Sequence, residues 1–240
     1  MICFEGALSV KAALLAGRRE VKEIWIDEKK KDRNTAFLVR SATQRKVVVK
    51  RLSREKIDLQ ATGKTHGGIV AFVGERKIQT IEEALHGFAP FLAILEGIED
   101  PFNLGYALRT LYAAGCSGVL LKQRDWSASE STVIKSSAGA SEYLNLYFSL
   151  DMTHALQQCR QAGCKIYSAM RQDAISYYDV DYTGPLVLAI GGEMRGLSKA
   201  ILDQTDQNIF VPYANDFRNA LNASSAVAAI SFEIVRQRRG

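Results

Sequence analysis

The chain has 240 residues, of which 47% are hydrophobic and 24% charged, as is typical of a soluble globular protein with at least one sizeable core. It contains no run of about 18 uncharged apolar residues and no basic segment before an apolar one near its start, so we expect no membrane span, no secretory signal and a cytoplasmic location. The net charge of +5 is uneven, with +9 in residues 1–80 and −4 in residues 81–240. The basic third favours contact with nucleic-acid phosphates, although solvated lysines and arginines on helix faces explain it equally well.

Cysteines and histidines are few and scattered, and no two cysteines form a CxxC pair. A zinc site needs several such ligands at short spacings, and a disulfide framework is typical of small secreted chains. We therefore expect no metal site and no catalytic cysteine, and we interpret the cysteines as core or surface residues. The residues concerned are Cys3, Cys116, Cys159, Cys164, His66, His86 and His154.

The first third of the chain alternates between helical and extended patterns. The apolar spacing predicts helices over 8–17, 34–44 and 53–60 and strands over 22–27, 46–49 and 68–73. This alternation indicates a small α/β domain over residues 1–75. Glycine and proline then punctuate a short helical stretch, which predicts a linker over residues 76–88.

The remainder of the chain, residues 89–240, repeats the alternation on a larger scale. Strands are predicted over 91–96, 117–121, 144–148, 164–170, 185–190 and 207–211. Helices are predicted over 103–115, 129–137 and 151–162, briefly after Ser198, and over 222–238. Because nearly continuous apolar strands separate amphipathic helices, we predict a parallel sheet that is covered on both faces.

Residues 100–110 (DPFNLGYALRT) follow a buried strand, at the end where open α/β sheets bind their ligands. Arg109 lies about 100° around the following helix from its apolar stripe and points away from the core. As structural alternatives, Asn103 is a helix cap and Arg109 a solvated side chain. The predicted stripe consists of Leu104, Leu108, Leu111 and Tyr112.

Two later segments have the same position relative to a strand. Residues 189–198 (AIGGEMRGLS) run from a strand through a glycine-rich loop into a helix, for which Ser198 is a plausible N-cap. The spacing fits neither GxGxxG nor a phosphate-binding loop with its lysine, which disfavours a dehydrogenase or another nucleotide-dependent enzyme. Residues 211–225 (VPYANDFRNALNASS) leave a strand and enter a helix, where Asn222 or Ser224 is a simple N-cap in the structural interpretation.

The three segments together resemble the ordered signature of the SpoU/TrmH family of RNA ribose 2′-O-methyltransferases, in the SPOUT superfamily. The matching patterns are DPxNxGxxxRT, GxExxGLS about 80 residues later, and a strand ending in proline that leads into LNxS. The resemblance covers residues 89–240. Residues 1–75, which end near THGGIVA at 65–71, resemble the RNA substrate-binding domain that many members carry.

This resemblance implies a parallel sheet with a deep trefoil knot, a homodimer, and S-adenosylmethionine as the cofactor. It implies methyl transfer to a ribose 2′-hydroxyl in structured RNA, and the separate basic domain favours large-subunit ribosomal RNA. Two alternatives stay open: a tRNA ribose methyltransferase, and a non-catalytic RNA-binding relative. By the same resemblance, backbone groups bind the cofactor around Gly191, Gly192, Val211, Pro212, Leu221 and Ala223.

The resemblance also assigns catalytic roles to Arg109, Asn103, Glu193 and Asn222. Arginine stays protonated in proteins, so Arg109 is expected to hold a phosphate and stabilise developing alkoxide on the 2′-oxygen rather than to act as a base. The other three residues are expected to orient Arg109 and the ribose. RNA contacts are expected from basic residues of the first domain: Lys29, Lys30, Lys31, Arg33, Arg45, Lys46, Lys50, Arg51 and Arg54.

The chain departs from the family pattern in the third segment. Where the family commonly has Ser-Leu-Asn, this chain has Ala220, Leu221 and Asn222, so a serine hydroxyl is missing. The loop after Pro212 is also one residue longer than in the commonest version. Any role that the family serine plays is therefore in doubt at position 220.

Overall fold

The structure is a computed structural model that describes residues 1–77, 79–85, 87–123 and 128–239. Its strands are β1 Ile2–Glu5, β2 Arg19–Asp27, β3 Val48–Leu52, β4 Ile69–Arg76, β5 Phe91–Glu96, β6 Gly118–Lys122, β7 Leu146–Ser149, β8 Lys165–Ala169, β9 Ala174–Ser176, β10 Leu186–Gly191 and β11 Gln207–Phe210. Its helices are α1 Ala7–Ala16, α2 Arg33–Gln44, α3 Arg54–Asp58, α4 Glu82–Leu85, α5 Pro101–Ala113, α6 Glu130–Ser136, α7 Ala140–Tyr143, α8 Met152–Gln161, α9 Lys199–Leu202 and α10 Ala223–Arg239.

The chain folds as two compact units. The first consists of Met1–Lys77 with Asp125–Tyr143, and the second of Ile78–Arg124 with Leu144–Gly240. The sequence analysis places residues 125–143 in the second domain, whereas in the structure α6 and α7 belong to the first unit. The domain limits and the linker over 76–88 stay predictions, and residues 78 and 86 of that linker lie outside the described part.

The first unit is built on a mixed four-stranded sheet in the order β1-β4-β2-β3. Strands β1 and β2 pair antiparallel with β4, and β3 pairs parallel with β2 at the edge of the sheet. Helix α2 begins where the Asp32 carboxylate accepts a hydrogen bond from the Thr35 backbone N–H at 3.0 Å. Apolar residues from the sheet and from α1, α2 and α6 form the core, among them Phe4, Val10, Ile24, Leu38, Ala71 and Ile134.

A buried ion pair joins α7 to this sheet. The Arg19 guanidinium donates two hydrogen bonds to the Glu142 carboxylate, each at 3.0 Å, and both side chains are only 2% exposed. Arg19 donates a third hydrogen bond to Glu130 at 2.7 Å, and Arg76 donates one to Glu142 at 3.1 Å. Because these charges lie away from water, each depends on its partners for compensation. This network explains why α6 and α7 pack as part of the first unit.

The second unit is an all-parallel seven-stranded sheet in the order β7-β6-β5-β10-β8-β11-β9. The central strands β5 and β10 are almost entirely buried apolar residues, as expected for a sheet with both faces covered. The predicted parallel α/β sheet is therefore confirmed. The trefoil knot stays a prediction. Among the described helices, none combines the length and apolar character needed to cross a membrane.

Three local predictions differ from the structure. Strands β1 and β9, with four and three residues, were not predicted, because such short segments carry too little apolar periodicity. Helix α5 begins at Pro101 rather than at residue 103, because Asp100 caps it. Tyr112 does not join Leu104, Leu108 and Leu111 in the core; these leucines are buried, but Tyr112 is 47% exposed.

We expect the Glu142→Ala substitution to lower the free energy of unfolding by about 3–5 kcal/mol, since it leaves the Arg19 charge buried without its two-point partner. The measurement is urea denaturation of the full chain. The matched control is Glu28→Ala in the same unit, where the side chain is exposed and the expected change is below about 0.5 kcal/mol. Equal effects of the two substitutions would show that the network does not stabilise the unit.

Candidate functional site

A cavity of about 350 Å³ lies at the carboxyl ends of three neighbouring strands, β10, β8 and β11. Parallel strands present their carboxyl ends at one edge of the sheet, where α/β folds bind ligands. The walls come from the ends of β8 and β11, the loop after β10, the segment before α10 and the first turns of α10. The lining residues include Ala169, Met170, Arg171, Ile190, Gly191, Gly192, Glu193, Leu197, Ile209, Val211, Tyr213, Leu221, Ala223 and Ile230.

The loop after β10 approaches neighbouring backbone too closely for any side chain at two positions. A Cβ atom on Gly192 would lie 2.0 Å from the Gly97 carbonyl oxygen, and one on Gly191 would lie 2.4 Å from the Gly196 carbonyl carbon. The Gly192 N–H donates to the Glu96 carbonyl at 2.7 Å, and the Glu96 carboxylate accepts from the Ser198 N–H at 2.6 Å. The glycines therefore let β5 and the loop pack together while bare backbone lines the cavity.

Two side chains fix the loop between β11 and α10. The Arg171 guanidinium donates to the carbonyl oxygens of Arg218 at 3.1 Å and Asn219 at 3.2 Å. It also lies 4.6 Å from the centre of the Tyr213 ring. The Tyr213 hydroxyl in turn accepts from the Leu221 N–H at 2.9 Å. Together, these contacts hold the third sequence segment against the cavity.

Five of the six predicted cofactor-binding residues line this cavity: Gly191, Gly192, Val211, Leu221 and Ala223. Pro212 does not line it, and its side chain is exposed. Ala220, the position at which a serine was expected from the family pattern, also lines the cavity.

Two predicted catalytic residues lie at or near the cavity. Glu193 lines it, and its side chain is exposed. Asn222 caps α10, because its side-chain oxygen accepts from the Ser225 N–H at 2.8 Å and from the Ser224 hydroxyl at 3.1 Å. The side-chain oxygen of Asn222 is therefore the N-cap of α10, as the structural interpretation of this segment expects. Only the amide NH₂ group of Asn222 is left for a ligand.

The first sequence segment starts beside the cavity, at the end of β5. The Asp100 carboxylate caps α5 by accepting from the N–H groups of Phe102 at 3.2 Å and Asn103 at 3.0 Å, with Pro101 as the first helical residue. The alternative that Asn103 is the cap is therefore wrong, and its side chain is left for other contacts.

Arg109 does not line the cavity in its own chain, and its side chain is exposed. Over the described residues, it makes no hydrogen bond or ion pair. Phe102 and Tyr106, which are 54% and 47% exposed, stand seven and three positions before it, on the same face of α5. Arg109 therefore belongs to an exposed aromatic helix face.

The predicted RNA-binding residues lie in the first unit, between the end of β2 and the start of α3, and all except the half-buried Lys30 are exposed. Four are engaged within the chain: Lys30, Lys50 and Arg54 in ion pairs with carboxylates, and Arg51 with backbone carbonyls. The charge of Lys29 also acts on the Glu55 carboxylate. The other four have no side-chain partner over the described ranges. They are Lys31, Arg33, Arg45 and Lys46.

The cysteines are unsuited to nucleophilic chemistry. Burial raises the pKa of the Cys116 and Cys159 thiols to about 12 and that of Cys3 and Cys164 to about 11, so all four stay protonated at neutral pH. All four are free thiols, and all but Cys3 are buried. Among the described residues, which omit His86, no three histidine, cysteine or acidic side chains are grouped so that they could hold a metal ion.

Comparison with known families identifies the chain. The model of the SpoU rRNA methylase family matches residues 90–232, and that of the RNA 2′-O ribose methyltransferase substrate-binding domain matches residues 4–79. The chain therefore belongs to the SpoU rRNA methylase family, and the resemblance drawn from the three sequence segments is confirmed.

Relatives match over nearly the whole chain. A 23S rRNA (guanosine-2′-O-)-methyltransferase, RlmB, of Pseudomonas putida is 31% identical and is matched over 98% of this chain and 96% of its own length. A putative TrmH family tRNA/rRNA methyltransferase of Staphylococcus haemolyticus is 28% identical over 99% and 96%.

Solved structures share the fold. The SpoU methyltransferase AviRb of Streptomyces viridochromogenes superposes with a TM-score of 0.83 at 20% identity, over 99% of this chain and 90% of that one. An AdoMet-bound rRNA methyltransferase of Sinorhizobium meliloti superposes with a TM-score of 0.81 at 22% identity, over 98% and 87%.

Sequence reasoning missed several residues of the cavity. Ala169 and Met170 end the predicted strand 164–170 and Arg171 follows it, whereas Phe210 ends β11 and Tyr213 comes three residues later. Their position at strand ends was the available signal. It was insufficient because the order of strands in the sheet, which decides which ends are neighbours, was not predicted.

Proposed function

We propose that this protein transfers a methyl group from S-adenosylmethionine to a ribose 2′-hydroxyl in structured RNA, with large-subunit ribosomal RNA as the favoured substrate. The observation that carries the proposal is the glycine-lined cavity at the ends of β10, β8 and β11, around which two of the three family segments converge. The relative named for guanosine 2′-O-methylation of 23S rRNA supports the choice of substrate. A relative named for both tRNA and rRNA keeps tRNA as the second candidate. Because ribosomal RNA is a cytoplasmic substrate, the proposal includes a cytoplasmic location.

The cavity suits the proposed cofactor. Its volume of about 350 Å³ lies within the usual range for small-molecule pockets, about 300–1,000 Å³. Apolar side chains such as Ile209, Leu221 and Ile230 offer contact surface for a nucleoside, and the absence of side chains at Gly191 and Gly192 lets a ligand lie close to the main chain. We assign cofactor binding to these glycines with Val211, Leu221 and Ala223. When bound, S-adenosylmethionine supplies a methyl group that is already activated by the positive charge on sulfur.

The protein then has to position the ribose hydroxyl and stabilise the charge that develops on its oxygen. A fixed guanidinium at Arg109 does both, because it binds the phosphate of the target nucleotide and favours negative charge on the 2′-oxygen. Asn103, at the start of the same helix, and Glu193, in the loop after β10, are assigned to orienting Arg109 and the ribose. The free amide of Asn222, which lies between the lining residues Leu221 and Ala223, is assigned the same role.

A second copy of the chain is part of the proposal, because Arg109 does not reach the cavity of its own chain. Helices α5 and α10 pack against each other, and their outer sides carry large aromatic residues that are about half exposed. Exposed aromatic clusters of this kind mark protein–protein interfaces. We assign this face to a homodimer that brings Arg109 to the partner's cavity. The aromatic residues are Phe102, Tyr106, Tyr112 and Phe232.

The exposed basic residues of the first unit are assigned to RNA. Among its described residues, Lys31, Arg33, Arg45 and Lys46 can contact phosphates without breaking internal ion pairs, and such contacts fix the register of structured RNA. Its substrate-binding family match supports the same role.

The test of the proposed activity is to incubate the protein with S-adenosylmethionine and unmodified total RNA and to map ribose methylation. We expect one or few methylated positions in large-subunit ribosomal RNA. Arg109→Ala should lower turnover at least about 100-fold while calorimetric binding of S-adenosylmethionine is retained. Arg239→Ala, at the exposed end of α10, is the matched control.

Each other outcome selects an alternative. Methylation confined to tRNA favours the tRNA enzyme, and RNA binding without affinity for S-adenosylmethionine favours the non-catalytic relative. Full activity of Arg109→Ala would refute the assignment of this residue.

We expect Gly192→Ala to abolish S-adenosylmethionine binding, because the added methyl group collides with the Gly97 carbonyl and displaces the loop. Gly184→Ala is the control, since a Cβ atom there meets no atom within 4 Å. Isothermal calorimetry measures both. Unchanged affinity in Gly192→Ala would place the cofactor elsewhere.

The dimer assignment is tested by Tyr106→Glu, which puts a charge into the aromatic face. We expect sedimentation to change from dimer to monomer and turnover to be lost, with the affinity for S-adenosylmethionine retained. Leu150→Glu, an exposed apolar position 80% open to solvent, should remain dimeric. A wild-type protein that sediments as a monomer would contradict the assignment.

A further inference from the structure

A second cavity of about 280 Å³ adjoins the first. The two share one wall, so a group bound in the smaller cavity lies directly beside the proposed cofactor site. The shared wall consists of Arg171, Phe210, Val211 and Tyr213. The outer wall consists of Asn215, Asp216 and Phe217, from the loop between β11 and α10.

The smaller cavity offers flat surfaces. The centres of the Tyr213 and Phe217 rings are 6.1 Å apart with a tilt of 41°, and the Arg171 guanidinium lies over the Tyr213 ring. Phe217 is 52% exposed, so much of its surface is open to a partner. Aromatic rings and guanidinium planes are the groups on which proteins stack unpaired nucleobases.

The loop that carries these groups is already braced. Arg171 binds the carbonyls of Arg218 and Asn219, directly after Phe217, and Tyr213 binds Leu221 near the loop's end. A ring that stacks on Phe217 therefore meets a surface that needs little further ordering, which reduces the entropic cost of binding.

The outer wall also has a carboxylate, that of Asp216, which can still accept hydrogen bonds. Within the described chain, the carboxylate of Asp216 has no hydrogen bond or ion pair. An ionised carboxylate only accepts hydrogen bonds, and it binds best to two adjacent donors. Among the common RNA bases, guanine presents two adjacent donor groups, N1–H and the N2 amino group, on its Watson–Crick edge.

We propose that the smaller cavity receives the base of the nucleotide to be methylated, with Phe217 as the stacking surface and Asp216 as the acceptor that selects guanine. This inference rests on the proposed function. In a nucleotide, the base is attached to the carbon next to the one that bears the 2′-hydroxyl. A ribose that presents this hydroxyl to the larger cavity therefore has its base within reach of the adjoining one.

The first experiment measures kinetics on the RNA fragment found by methylation mapping. Phe217→Ala should lower kcat/KM about tenfold to a hundredfold, because a stacking surface is lost, while the affinity for S-adenosylmethionine is unchanged. Phe217→Trp keeps a stacking ring and should retain activity within about threefold. Phe88→Ala, a fully exposed aromatic residue elsewhere in the second unit, is the control.

The second experiment tests base selection with inosine, which lacks the N2 amino group of guanine, at the target position. Wild-type protein should prefer guanosine to inosine about tenfold. Asp216→Ala should lose most of that preference, because the acceptor for the amino group is gone.

The outcomes separate the two proposals. Suppose that the wild type is active, but that Phe217→Ala has the same kcat/KM or Asp216→Ala keeps the preference for guanosine over inosine. The assignment of the smaller cavity to the base is then wrong, while the proposed methyltransferase function still stands. Loss of S-adenosylmethionine binding in Phe217→Ala also overturns that assignment, since the loop would then belong to the cofactor site. A wild type that methylates no RNA refutes the proposed function, and this inference with it.

Discussion

The close approach of Gly192 to Gly97 is the constraint on which the cavity depends. Here the end of β10 meets the end of β5 with no room for even a single methyl group between them. The Gly192 N–H binds the carbonyl of Glu96, whose carboxylate holds Ser198 on the other side of the loop. One short stretch of backbone thus positions the cavity wall, the start of α9 and the strand that leads into α5. The cavity is preorganised by main chain, so its shape depends little on side-chain rotamers.

Much of the second unit could be predicted from its sequence because buried parallel strands read as nearly continuous apolar runs, as in β5 and β10. The order of the strands in the sheet could not be predicted, because it depends on long-range pairing that leaves no local pattern. The packing of α6 and α7 with the first unit has the same origin. Glu142 has the local appearance of an exposed helical residue, and only the fold brings it to Arg19, more than 120 positions away.

The residues of the site also fall into those that the sequence indicated and those that it did not. The glycines of the loop after β10 and the residues before α10 stood out from their spacing, and they line one cavity. Arg171 did not stand out, because its importance comes from carbonyls 47 and 48 positions further on. The sequence offered Asn103 as a cap of this helix. In the structure α5 begins at Pro101 and Asp100 is the cap, which leaves the Asn103 amide for another purpose.

The buried Arg19–Glu142 pair also bears on how the chain can be divided. Because α6 and α7 belong to the first unit while the chain before and after them belongs to the second, the polypeptide passes between the units three times. No single cleavage point separates two self-contained pieces. A fragment that starts after Lys77 would carry α6 and α7 without the sheet they pack on, with an orphaned acid at position 142. The segments of the two units therefore alternate along the sequence. Replacing the first unit by that of another protein, in evolution or by engineering, would have to include both of its segments.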